Sequence, residues 1–402
     1  MNVLIVGNGI EEHGWARWLR ARREHQLDAA LPGFSDPGLA SVPVPRDLDD
    51  ALARPGIDTI IVGGPIEQRG EVLRRAAAEG LAVICLHPPG PDSEAYYQVA
   101  LSRAETGAVI VPDLPLRLHP GVAALRQAAS TGELGVFRGV RVESPSVGEG
   151  TDLARVVFPR LIDVVRALLG EVEALTATGD PPGDQPDVEL IVQLRAALGR
   201  RAELRIWSGP DEPSRLSLLG AGGSLTLEFD PRFQQPARLI RRTSSAAEHR
   251  QELAPWDSHE AIVSVLAASR ARRAGPDLPS PNLHDATRAM ELAEATTRSL
   301  RRGRTVDMYY EPITEEAGFK SVMTSTGCVI LLIALCTLPL ALAGPALGLN
   351  WTIFIAYLIP PILVIFVLLQ ILRFAVRSPG ESEGAQKRDE KPNRAEGSHH
   401  EA

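Results

Sequence analysis

The chain predicts an α/β fold: a parallel sheet covered by helices, a second region of further strands and helices, and two membrane-spanning helices near the C-terminus. Three observations lead there. Short aliphatic runs alternate with helical stretches over residues 1 to 115, strand-like segments recur between Phe137 and Phe229, and no charged residue or histidine lies between Lys320 and Arg373. Continuous apolar strands separated by helices are buried on both faces, which is the condition of a parallel sheet.

Size and charge narrow the class. At 402 residues the chain can hold more than one domain. A net charge of -8 argues against a nucleic-acid partner. Cys85, Cys328 and Cys336 have neither disulfide nor metal spacing, so no metal is expected. The apolar run at the start has about five residues and no basic flank, unlike a secretory signal, so the first domain is expected in the cytoplasm.

Each element has its own signature. Val3 to Val6 runs into Gly7-Asn8-Gly9 and a helix around Gly14 to Glu24. Glycines in such a turn let the backbone approach a pyrophosphate, with the helix N-terminus behind it. The third glycine of that fingerprint is replaced by Glu12, preceded by Glu11; both would bring negative charge towards an anionic ligand, and both also read as an exposed first turn that complements the helix dipole. A second strand near Leu27 to Leu31 leads into Pro32-Gly33-Phe34, where an acidic residue would hold a ribose; Asp36 comes a few residues late. Ile57 to Val62, Ala82 to Leu86 and Ala108 to Val111 supply three more strands, with helices around Glu67 to Glu79 and Ser93 to Thr106. This is a Rossmann-like domain over residues 1–115, and a doubly wound domain holding no dinucleotide satisfies the same pattern.

Further on, Phe137 to Glu143, Val188 to Leu194, Ala202 to Trp207, Leu216 to Leu219 and Ser224 to Phe229 read as strands. Turns rich in Gly, Pro and Asp span Gly179 to Pro186 and Gly209 to Pro213. Val322 to Ala343 and Trp351 to Leu372 are each about 22 residues long, near the ~20 that span a bilayer. Lys320, Arg373 and Arg377 flank this pair, which places both ends in the cytoplasm and the chain in the cell membrane. Residues 378–402 read as a disordered polar tail.

Four landmarks in order carry a family resemblance. Gly80-Leu81-Ala82-Val83-Ile84-Cys85-Leu86-His87-Pro88 resembles the "G-k-h-V-l-c-E-K-P" segment of the Gfo/Idh/MocA oxidoreductases, which include glucose-fructose oxidoreductase and inositol dehydrogenase. Leu116 to Pro120 with Thr131 to Gly135, Leu161 to Gly170, and Ala289 to Val306 resemble three later segments. The resemblance implies an α+β domain over residues 116–312 with an open mixed sheet, used for substrate and oligomerisation. It also implies NAD or NADP beside Gly7, Asn8, Gly9, Gly63, Pro65 and His87, with a sugar-like or cyclitol hydroxyl or carbonyl as substrate.

In that family a lysine, an aspartate and a histidine handle the hydroxyl proton. Here His87 stands at the lysine position, and counting back from Asp163 places Arg160 at the histidine and Val156 at the aspartate. A neutral imidazole can act as a general base, whereas a guanidinium orients anions and moves no proton. His87 and Arg160 are therefore the candidate catalytic residues. Other readings of the same residues stay open: His87 as a hydrogen-bonded loop residue, and Arg160 as either an anion clamp or a partner of Asp163. His119 reads as structural. Two functions remain, a membrane-anchored NAD(P)-dependent oxidoreductase or a non-catalytic ligand- or protein-binding module of the same fold at the bilayer.

Overall fold

A computed structural model describes residues 1–146, 152–179, 188–243, 246–271 and 281–308. The stretches expected to cross a membrane, 322–343 and 351–372, and the tail at 378–402 lie outside the described residues, as does most of the turn at 179–186. Among the described residues no helix is long and apolar enough to cross a membrane. Residues 1–310 form one compact unit.

The first sheet contains β1 (Asn2–Val6), β2 (Gln26–Leu31), β3 (Thr59–Val62), β4 (Ala82–Leu86) and β5 (Ile110–Asp113). All its pairings are parallel and the order is β2-β1-β3-β4-β5. The cause is the one the apolar runs suggested: β3 and β4 are buried along their whole length, so both faces need cover. The cover comes from α1 (Ile10–Arg20), α2 (Leu48–Leu52), α3 (Ile66–Ala78) and α4 (Glu94–Thr106), and also from far along the chain.

After α5 (Pro120–Thr131) the chain builds a nine-stranded mixed sheet. Its strands are β6 (Phe137–Ser146), β7 (Val172–Gly179), β8 (Glu189–Ala196), β9 (Arg201–Ser208), β10 (Ser214–Gly220), β11 (Gly223–Phe229), β12 (Arg238–Thr243), β13 (Ala246–Glu252) and β14 (Val306–Asp307). The order is β13-β12-β11-β10-β6-β9-β8-β7-β14, in which β6 and β9 are parallel and the other pairs antiparallel. One face alternates apolar residues into a core with α6 (Phe158–Leu169) and α8 (Leu283–Arg302).

Two late helices tie the sheets together. Ile262, Val263 and Leu266 of α7 (Ser258–Arg270) pack into one core of the first sheet, and Leu283, Ala286 and Met290 at the start of α8 into the other. The rest of α8 buries Ala289, Leu292, Ala293 and Ala295 in the second sheet's core. At the C-terminal edge of the first sheet, Arg160 of α6 bonds to Glu11 of α1 and to the His87 carbonyl after β4, and Trp15 of α1 bonds to Asp113 at the end of β5.

Candidate functional site

The site is built on the turn after β1. Gly7 has φ +122°, a conformation that costs glycine nothing and other residues a great deal. Gly9 precedes α1 without any side chain to cap it. The helix starts at Ile10, four residues before the expected position, and this sets the fate of the two acidic residues. The expected exposed turn is wrong for Glu12, which is only 2% exposed. Its side chain folds back over the turn, and the Gly64 N–H donates to Oε1 at 2.6 Å. A Cβ placed on Gly7, Gly9 or Gly63 would collide with its carboxylate oxygens. The hollow that three glycines leave open is thus filled from within the chain. The carboxylate sits in the first turn of α1 and takes the Gly64 N–H as its hydrogen-bond donor.

Glu11 is also engaged. Arg160, in the first turn of α6, grips its carboxylate with both terminal nitrogens, Nη2 donating to Oε2 at 2.9 Å, while Nε donates to the His87 carbonyl at 2.7 Å. Burial raises the pKa of Glu11, but Arg160, with smaller help from Arg69 and His259, outweighs it and leaves the group below its ordinary value. The expected alternative partner of Arg160 is corrected as well. Asp163 is taken by Arg117, whose Nε and Nη2 donate to its two oxygens at 2.9 and 2.5 Å and whose Nη1 donates to Asp285 Oδ2 at 2.6 Å.

His87, at the end of β4, is 1% exposed. Its Nδ1 shares a 2.9 Å hydrogen bond with the Tyr96 hydroxyl, and Nε2 has no partner among the described residues. Burial, then the charges of Arg160 and Arg69, hold its pKa well below 6.5, so the ring is neutral at physiological pH. Arg69 is buried too and donates to the carbonyls of Gly64 (2.8 Å) and Pro88 (3.0 Å). Val156 lies on the π turn Leu153–Val157 that leads into α6. Asn8 and Pro65 are exposed, and Gly63 is buried beside Glu12.

Sequence reasoning missed Asp113, at the end of β5. Burial and the neighbouring Glu11 raise its pKa to about 6 against the 3.1 Å hydrogen bond from Trp15 Nε1. The signal available was its place after an apolar strand, at the carboxyl edge where parallel sheets gather functional groups. His119 is structural, as its position before Pro120 suggested, since its Nδ1 accepts from the Gly121 N–H at 3.0 Å and caps α5. Asp36 is bound by Arg17 (2.9 Å) and the Gly38 N–H (2.8 Å). Two cavities, one lined by residues including Asp58 and Arg270 and the other by residues including Asp211 and Arg232, contain no residue of the Gly7–Gly9 turn. No group of three or more metal-ligating side chains occurs among the described residues.

No family model matches the chain. The chain is similar to an inositol 2-dehydrogenase of Streptomyces avermitilis, with 24% identity over 335 residues, 71% of this chain and 97% of that protein. It superposes on the aldose-aldose oxidoreductase of Caulobacter crescentus complexed with glycerol (TM-score 0.64, 18% identity, 77% of this chain and 99% of that one). It also superposes on an oxidoreductase of Agrobacterium radiobacter in complex with NAD+, L-tartaric acid and magnesium (TM-score 0.61, 16% identity, 76% and 98%). The fold is therefore that of the Gfo/Idh/MocA-type, inositol dehydrogenase-like oxidoreductases. One of these structural neighbours holds NAD+. The residues of this chain do not suit a pyrophosphate, because a carboxylate already occupies the glycine hollow at the turn.

Proposed function

We propose that this protein is a non-catalytic, ligand-binding relative of the NAD(P)-dependent sugar and cyclitol oxidoreductases. One observation carries the reading: the groups at the proton-handling positions are spent inside the protein. Arg160 is committed to Glu11 and to the His87 carbonyl. His87 is buried, bonded to Tyr96 and too weakly basic at physiological pH to take a hydroxyl proton, a step that needs a pKa near the working pH and reach to the substrate. Val156 has nothing to transfer. The names of the relatives support a sugar-like or cyclitol ligand class, and the apolar stretches at 322–343 and 351–372 support attachment to a bilayer.

The test uses the full chain in detergent with a panel of cyclitols and aldoses and with NAD, NADP and their reduced forms. We expect no change in nicotinamide absorbance above the enzyme-free rate. Turnover above that rate would overturn the reading, and its loss in His87→Ala would return His87 to the general-base role.

A further inference from the structure

We propose that Glu12 is a built-in occupant of the phosphate cradle, a carboxylate that takes the place of a dinucleotide pyrophosphate and keeps dinucleotides out. The inference deepens the non-catalytic reading, but it concerns binding, whereas that reading concerns proton transfer.

Three features of the molecule carry it. The first is the shape of the hollow. Gly7, Gly9 and Gly63 come from two different strand ends, and at each of them an added Cβ would strike the same carboxylate. Glycines at such positions let a ligand approach the backbone closely, and here the approaching group belongs to the chain itself.

The second is satisfaction. The Gly64 N–H, which Gly64 presents from a φ of +81°, donates to Glu12 Oε1 at 2.6 Å. Short hydrogen bonds from backbone N–H groups to an anion are the means by which such turns hold phosphate oxygens. Glu12 is 2% exposed, so the charge is held by the turn rather than by water.

The third is electrostatic. Glu11 stands beside Glu12 with its own cation, Arg160, already bound to it, and Asp113 adds a further carboxylate. Arg69 spends its hydrogen bonds on carbonyl oxygens. A pyrophosphate entering this space would meet the Glu12 charge while the guanidinium groups of Arg69 on α3 and Arg160 on α6 are already committed elsewhere. Like charges forced together in a buried space repel.

The glycine missing from the fingerprint and the occupant of its hollow are therefore the same residue. Substituting Glu12→Gly removes the occupant, restores the third glycine and leaves Gly7, Gly9, Gly63 and Gly64 in place.

Binding of NADH and NADPH to the full chain in detergent is measured by calorimetry and by nicotinamide fluorescence, with thermal melting in parallel. We expect no saturable binding by the wild type at millimolar dinucleotide. Glu12→Gly should bind at least about 100-fold more tightly and melt higher when dinucleotide is added. Glu12→Ala also removes the carboxylate, should bind as Glu12→Gly does, and serves if the glycine variant fails to fold, since a folded Glu12→Ala that binds no better than wild type likewise overturns the proposal. Wild-type binding in the micromolar range overturns the proposal, as does a folded Glu12→Gly that binds no better than wild type. Neither result touches the non-catalytic reading, which fails only on turnover.

Discussion

At the scale of single residues, the site consists of carboxylates given different partners. Glu11 has an arginine, Glu12 has a backbone N–H, and Asp113 has an indole N–H and a carboxylate neighbour. Asp113 titrates at about 6 in the folded protein against 3.8 for an ordinary aspartate. A group whose folded pKa is raised stabilises below its unfolded pKa, and that contribution is lost as pH rises through the folded value. Between about pH 4 and 6, Asp113 should therefore remove roughly 1–3 kcal/mol. Asp113→Asn keeps the acceptor for Trp15 and should narrow the difference in melting temperature between pH 5 and pH 7; an unchanged difference would refute this. His119 works in the opposite sense. Burial lowers its pKa to about 4, so its cap on α5 is fully present above pH 6.5 and fails as pH falls towards 4. His119→Ala should cost about 1 kcal/mol at pH 7.5 and less at pH 4.5, measured by urea denaturation. Glu12 shows where sequence reading stopped. With the helix start placed at Gly14, Glu11 and Glu12 looked like solvent-facing residues, whereas a start at Ile10 turns Glu12 back over the glycines. Gly9 offers no side-chain capping signal, so the true start left little trace.

At the scale of elements, what was legible follows from local pattern. β1, β3 and β4 were readable because each is an apolar run that announces burial on both faces, whereas β2, with Gln26 and Asp28 and only Ala29 and Ala30 buried, carries a weaker signal. β12 and β13 were not readable, since Arg238–Thr243 and Ala246–Glu252 are mostly polar and become strands through pairing with β11 and with each other. The partner of Asp163 was equally out of reach, because Arg117 lies 46 residues earlier. That arginine joins the turn before α5 to α6 and, through Asp285, to α8. Both members of the pair are buried, with side chains 8% and 1% exposed. Removing the arginine leaves Asp163 as a buried charge without its cation, so Arg117→Met should destabilise by about 3–5 kcal/mol. Arg117→Met combined with Asp163→Leu should recover much of that loss, and equal losses in the single and double variants would argue against the charge explanation.

At the scale of the whole body, α7 and α8 decide the cooperativity. α8 carries Leu283, Ala286 and Met290 in a core of the first sheet and Leu292 and Ala295 in the core of the second. The two sheets should therefore unfold together, with fluorescence and far-ultraviolet circular dichroism giving coincident denaturant curves. Met290→Ala opens a cavity in the first sheet's core and should shift both curves together by about 2–5 kcal/mol; separate transitions would show that the sheets fold independently. The turn at Glu12 also bears on how this body can change. Glutamate and glycine codons differ only at their middle base, so a filled hollow and an open one are one point mutation apart. The scaffold that holds Gly7, Gly9 and Gly63 around a carboxylate keeps the shape of a nucleotide site and lies a single genetic step from exposing it again.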